Sequence, residues 1–322
     1  MKYYLGIDVG SVSTNIVLID EKDNVVEALY LRTRGKPVEV LIKGLKDLFK
    51  KYKKVEISGA GTTGSARQLT GALVGADVIK NEITAHAIAA LHFVPDVKTI
   101  IEIGGQDSKI VILRDGVPVD FAMNTVCAAG TGSFLDQQAG RLAIPIEEFG
   151  NIAVNAESVV KIAGRCTVFA ESDMIHKQQM GYDISGILMG LCEAMVRNYL
   201  NNVGRGKTIE EPIIFQGGVA ANIGIKTAFE KELNTKVIIP QYFNVMGAFG
   251  AAKLAKKEAV SKGSTTFKGI SLIKEKIEHN SFECSDCPNC CEVFELKMKG
   301  EVIAVWGDRC EKWQHEHTKK AA

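Results

Sequence analysis

Eight cysteines and three glycine-rich turns hold most of the chemistry that this sequence offers. Cys127, Cys166 and Cys192 are spread through the body, while Cys284, Cys287, Cys290, Cys291 and Cys310 crowd the C-terminal end. In a reducing cytosol such thiols are metal ligands or reactive groups rather than disulfides. Cys127 stands in Asn124-Thr125-Val126-Cys127-Ala128-Ala129-Gly130-Thr131-Gly132, and Cys166 in the stretch Gly164 to Ser172; each precedes a helix-period pattern. A helix N-terminus presents about half a positive charge and free N–H groups, which favour an anionic ligand there. The small residues beside both thiols leave room for a bulky inorganic group. A cubane [4Fe–4S] cluster takes four thiolates, and this pair supplies two. The simplest completion is a two-fold homodimer to which each subunit gives Cys127 and Cys166, with one cluster on the axis. Cys192 falls inside a helical run and reads as an ordinary core residue.

The glycine turns suit phosphate. In Gly6-Ile7-Asp8-Val9-Gly10-Ser11-Val12-Ser13-Thr14, glycine and hydroxyl residues sit between two strands. Backbone N–H groups can approach phosphate oxygens closely there, and Ser11, Ser13 and Thr14 add donors. Asp8 beside the turn is placed to hold Mg²⁺, directly or through water. Glu102-Ile103-Gly104-Gly105-Gln106-Asp107-Ser108 repeats the pattern, and Gln106 or Asp107 would orient an attacking water. A third turn, Gly217-Gly218, breaks a strand into a helix and suits an adenine ring or ribose. Gly204-Arg205-Gly206-Lys207-Thr208 resembles the end of a P-loop. It lacks the leading glycine, since Asn201 stands there, and it follows a helix instead of a strand, so it reads as a plain loop.

The elements that would position these turns are legible. Residues 3–8, 15–20 and 25–31 read as strands, and the spacing of Val38, Leu41, Ile42, Leu45, Leu48 and Phe49 predicts a helix. From residue 97 the strand–turn–strand order begins again, aligned without a gap at an offset of 94: Asp8 falls on Glu102, Gly10 on Gly104, Ser13 on Asp107. A duplicated domain with a cleft between the copies follows from that. The expected division is a first half over 1–95, completed by a helix near 245–259, and a second half over 96–244 carrying Cys127 and Cys166. A Ser/Thr/Gly-rich linker over 260–280 then leads to a Cys-rich module over 281–322. In that module Cys284, Cys287, Cys291 and Cys310, with Cys290 as a substitute for Cys291, suit Zn²⁺ or a second [4Fe–4S] cluster. Its few large apolar residues argue that metal supplies its stability.

Bulk composition is that of an ordinary soluble chain: 322 residues, 46% hydrophobic, 24% charged, net charge +1. Nothing in it favours nucleic acid or an acidic membrane. The N-terminal strand lacks the features of a signal peptide, and no apolar run reaches the roughly 20 residues of a spanning helix, so a cytoplasmic location is expected.

The stretches LGIDVGS, IEIGGQDSK, NTVCAAGTGSFLD, GRCTVFAES, QGGVAAN and GAFGAA together resemble the activators of 2-hydroxyacyl-CoA dehydratases and the related ATPase subunits of benzoyl-CoA reductase. The resemblance runs over about residues 3–255. It implies an α/β chain of the actin/hexokinase/Hsp70 (ribonuclease H-like) ATPase fold, and a homodimer bridged by one [4Fe–4S] cluster. It also implies ATP-coupled delivery of low-potential electrons to a partner iron–sulfur protein, with ferredoxin or flavodoxin as donor. The Cys-rich tail departs from the short activators, which leaves a reductase component as open as a dehydratase for the acceptor. Two rivals are a small-molecule kinase on the same fold, which leaves the two cysteines without a role, and a nucleotide-binding redox sensor without turnover.

Overall fold

The structure is a computed structural model, described for residues 2–53, 55–164, 166–269, 271 and 277–313. The chain divides into two units, residues 1–82 with 247–322, and residues 83–246.

In unit 1, β1 (Lys2–Val9), β2 (Ser13–Asp20) and β3 (Val25–Arg32) form an antiparallel meander. Then α1 (Pro37–Lys51) crosses over to β4 (Glu56–Thr63), which lies parallel to β1, and α2 (Arg67–Val74) leads to the short β5 (Val78–Ile79). The sheet order is β3-β2-β1-β4-β5. Leu41, Leu45, Leu48 and Phe49 of α1 are buried against Leu5, Ile7, Ile16 and Leu18 of the sheet, as the helical spacing predicts.

The long helix α9 (Met246–Lys262) packs on β1 and β4 through glycines that face alanines. A side chain at Gly6 would stand 1.8 Å from the Ala248 carbonyl oxygen, and one at Gly61 2.4 Å from that of Ala251.

Unit 2 repeats the plan. It begins on α3 (Glu82–Phe93), followed by β6 (Thr99–Ile103), β7 (Ser108–Arg114) and β8 (Val117–Asn124) as a second meander. Strands β9 (Ile213–Gln216) and β10 (Val237–Ile238) add parallel to it, in the order β10-β9-β6-β7-β8. Even the register recurs: Asp8 pairs with Asn15, and Glu102 with Lys109, each shifted by 94. Helices α4 (Gly132–Arg141), α5 (Ile146–Val154), α6 (Thr167–Gln179), α7 (Ile184–Tyr199) and α8 (Ile223–Leu233) complete the unit. Cys192 is buried within α7, and burial pushes its thiol well above the ordinary range, as suits a core residue.

The C-terminal sheet, β11 (Ile277–Glu283), β12 (Glu292–Met298) and β13 (Glu301–Trp306), contains the hairpin that the sequence predicts and one further strand. Its apolar residues are not a core of their own. Leu296 and Ala304, with Ile303, Met298 and Trp306 around them, join the cluster of Leu5, Leu45 and Leu73 in unit 1, and β13 packs on α2. Burial on unit 1 therefore supplies stability that the sequence reading assigns to metal. The Ser/Thr-rich stretch before it is fastened as well. Thr265 and Thr266 donate to the Asp77 carboxylate (2.7 and 3.1 Å from their hydroxyls), and the Lys268 ammonium donates to the Ala72 carbonyl at 2.8 Å.

Candidate functional site: two phosphate turns and two helix-capping cysteines

The two predicted phosphate turns have the same internal bond. Gly10 N–H donates to the Ser13 carbonyl at 2.9 Å, and Gly104 N–H to that of Asp107 at 3.0 Å. In the first turn Asp8 is half-buried and Ser11 is exposed. Thr14 is buried, its hydroxyl 3.0 Å from that of Thr33, which in turn donates to the Gly10 carbonyl at 3.1 Å. Thr14 thus props the turn from below. The loop after β4 presses on Asp8: Gly64, at φ +94°, leaves no room for a side chain, which would meet Asp8 Oδ1 at 2.5 Å.

In the second turn Gln106 is exposed and Asp107 partly so. The third turn lies in the same unit. Gly217, at φ +90°, donates its N–H to the Phe243 carbonyl at 2.8 Å, and a single 3₁₀ turn, Gly218–Ala221, continues from it.

Beneath these two turns is a polar layer that sequence reasoning missed. The Lys109 ammonium, only 3% exposed, lies 3.0 Å from Glu102 Oε2 and 2.6 Å from Asp107 Oδ2. His86 of α3 is buried, with Nδ1 2.7 Å from the Gln216 amide nitrogen. Burial and then the Lys109 charge depress its pKa to about 3, against an opposing pull from Asp107, so the ring is neutral. The clue to Lys109 was available in the repeat, which sets it across the ladder from Glu102. For His86, within an alanine-rich helix, no local signal existed.

Cys127 and Cys166 are both half-exposed. Cys166 is the N-cap of α6, as expected. Cys127 precedes one 3₁₀ turn, Ala128–Gly130, after which Thr131 is the N-cap of α4. The buried Asn124 side chain grips the Cys127 backbone at both ends: its amide donates to the Cys127 carbonyl at 2.7 Å, and its oxygen accepts the Cys127 N–H at 3.0 Å. Asparagine three residues before a loop cysteine is the local clue, because its amide readily bonds nearby backbone. The first turn of α4 is in turn fixed to the second phosphate turn. Gly132 N–H donates to the Gly104 carbonyl at 2.9 Å and Ser133 N–H to that of Gly105 at 2.8 Å. Further along α4, Gln137 Nε2 donates to the Glu171 carboxylate of α6 at 3.0 Å, and Arg141 forms an ion pair with the same carboxylate. Both thiols are thus half-exposed and near the N-terminal ends of two helices that Glu171 links.

In the tail, Cys284 is buried and accepts a hydrogen bond from the Trp313 indole at 3.3 Å. Cys291 is half-exposed, and Cys287, Cys290 and Cys310 are exposed. Among the described residues no three His, Cys, Asp or Glu side chains converge as a metal site. Lys207 of the P-loop look-alike is engaged with Asp120 at 2.6 Å.

Twin meander sheets with glycine turns at matching places define an ATPase of the actin/hexokinase/Hsp70-like fold. Residues 5–255 match the BadF/BadG/BcrA/BcrD ATPase family, and the chain belongs to it. The 2-hydroxyisocaproyl-CoA dehydratase activator of Clostridioides difficile is 34% identical over 80% of this chain and 96% of its own length. The (R)-2-hydroxyglutaryl-CoA dehydratase activating ATPase of Acidaminococcus fermentans is 33% identical over 80% and 98%. The solved structure of the C. difficile activator with bound ADPNP superposes with a TM-score of 0.75, at 31% identity, covering 81% of this chain and 97% of that one. The C-terminal sheet lies outside the family match. Among the described residues no helix is long and apolar enough to cross a membrane.

Proposed function

We propose that this chain hydrolyses MgATP to drive single low-potential electrons from a [4Fe–4S] cluster to an iron–sulfur partner. That partner would be a 2-hydroxyacyl-CoA dehydratase, or a related reductase component. The observation that carries the reading is the pair of hydrogen bonds from Gly132 and Ser133 to the carbonyls of Gly104 and Gly105. A phosphate turn and the helix that follows Cys127 are thereby one mechanical piece.

In this reading Asp8 holds Mg²⁺, and the Ser11 and Ser13 hydroxyls with the N–H groups of Ser11 and Gly105 bind phosphate oxygens; Gly10 and Gly104, whose own N–H groups close the two turns, let the backbone come close to the nucleotide, and Thr14 supports the first turn. Gln106 and Asp107 orient the attacking water, and Gly217 and Gly218 lie against the nucleoside. Cys127 and Cys166 hold the cluster, which when bound supplies one-electron chemistry. A second copy of the chain completes the four ligands. The apolar surface around the thiols supports such pairing: Val126 is 95% exposed, Phe169 68% and Val168 65%. Any shift of the Gly104–Asp107 turn moves the start of α4, and the Glu171 contacts carry it to α6 and Cys166. Zn²⁺ or a second cluster on Cys284, Cys287, Cys291 and Cys310 would require rearrangement of the tail turns, and no step is assigned to it. Ferredoxin or flavodoxin would resupply electrons.

The test is anaerobic. Reduced protein is mixed with a 2-hydroxyacyl-CoA dehydratase, and oxidation of its iron–sulfur chromophore is followed. Oxidation on adding MgATP, and none with a non-hydrolysable analogue, is expected. Equal oxidation without nucleotide would refute the coupling.

A further inference from the structure

We propose that Lys109 is a positioning residue for ATP hydrolysis, one that holds the Asp107 carboxylate in place at the second phosphate turn. The inference rests on the reading of that turn as part of the MgATP site.

The geometry is that of a relay from the interior outward. Glu102 and Lys109 are directly opposed on β6 and β7, and both are buried. Lys109 Nζ lies 3.0 Å from Glu102 Oε2, and it reaches Asp107 Oδ2 at 2.6 Å. The Asp107 side chain is 34% exposed, so one end of the relay is fixed in protein and the other faces outward. The backbone of Lys109 is itself held: its carbonyl accepts the buried Tyr199 hydroxyl at 2.7 Å. A buried ammonium between two carboxylates has its charge matched, and short charge-assisted bonds give it little freedom to wander.

Two glycines make room for the arrangement. A Cβ at Gly104 would lie 2.7 Å from Asp107 Oδ1, and one at Gly217 2.8 Å from Glu102 Oε1. These are the same glycines that the sequence assigns to nucleotide contact. The first copy is built differently, since the place of Lys109 is taken there by Asn15, whose amide lies 3.4 Å from the Ser13 hydroxyl. Duplication has thus kept the turn and changed the residue behind it. A fixed cation therefore stands at the Asp107 carboxylate of the second copy, where the first copy has a neutral amide beside a serine hydroxyl. Asp107 is oriented toward water by the protein.

The experiment measures phosphate release from MgATP under reducing, anaerobic conditions, together with thermal stability. It compares wild type with Lys109→Met, Lys109→Met/Glu102→Gln and Asp107→Asn. A misaligned catalytic group lowers kcat without weakening ground-state binding. Lys109→Met should therefore lower kcat about 10- to 100-fold, with KM for ATP within about twofold of wild type. The double variant removes the stranded buried carboxylate. It should regain most of the lost thermal stability and none of the lost kcat. Recovery of wild-type kcat in the double variant would show that Lys109 only balances charge, and would overturn the proposal. So would a rise in KM at unchanged kcat, which marks a direct nucleotide ligand. If Asp107→Asn hydrolyses ATP normally, the placement of the turn in the MgATP site fails. If Asp107→Asn is impaired and both Lys109 variants are not, the relay alone fails.

Discussion

His86 makes the stability of unit 2 depend on pH in a way that can be worked out in advance. In the unfolded chain the imidazole takes a proton near its ordinary 6.5, whereas in the fold burial and the neighbouring Lys109 ammonium delay this to about 3. Between those values the unfolded state binds more protons, so acid favours unfolding. The stabilisation is complete above pH 6.5 and is lost as pH falls toward 3. Each pH unit in that window is worth up to about 1.4 kcal/mol, so roughly 2 kcal/mol is gone at pH 5.0. For a domain of this size that is about 4–8 °C in Tm. His86→Gln keeps a side-chain acceptor for the Gln216 amide while removing the titration. Far-UV circular dichroism is the suitable probe, because the only two tryptophans, Trp306 and Trp313, belong to unit 1. Wild type should lose roughly 2 kcal/mol more than His86→Gln between pH 7 and pH 5. Parallel losses, or a His86 ring that titrates near 6.5 in folded protein by NMR, would refute the reasoning.

Other outcomes follow from the same geometry. Asp8→Asn should weaken Mg²⁺-dependent ATP turnover and leave the visible spectrum of the cluster intact; unchanged turnover would mean that Asp8 holds no metal. Asn124→Ala removes two close bonds to the Cys127 backbone. At about 0.5–1.5 kcal/mol each, their loss should speed chelator removal of the cluster by about tenfold, read as absorbance decay. Ending the chain after Lys262 strips Leu296, Trp306 and their neighbours from unit 1. That should cost at least about 1.5–3 kcal/mol by thermal melting, from the buried Leu296 side chain alone; an unaltered Tm would show that the sheet contributes nothing.

Much of this was readable from residue order. The meanders, α1 and the glycine turns follow from alternation, helical spacing and turn chemistry, and the 94-residue repeat is matched by the observed Asp8–Asn15 and Glu102–Lys109 registers. What escaped depends on contacts between distant segments. Gln216 meets His86 across 130 residues, and Glu171 meets Gln137 and Arg141 across about 30, with no periodicity to announce either. The tail is a related case. Leu296, Ile303 and Trp306 look too few for a core when counted within their own module, yet they join the core of another segment. The interval between Cys127 and its helix, one 3₁₀ turn anchored by Asn124, had no pattern of its own.

The central claim, a cluster held by Cys127 and Cys166 of two chains, is tested most directly by counting iron and sulfide. Protein purified without oxygen is compared with Cys127→Ser and Cys166→Ser, with native mass measured alongside. The account predicts a dimer in which either substitution removes about four irons and four sulfides per two chains. Variants that keep the full wild-type count would contradict it.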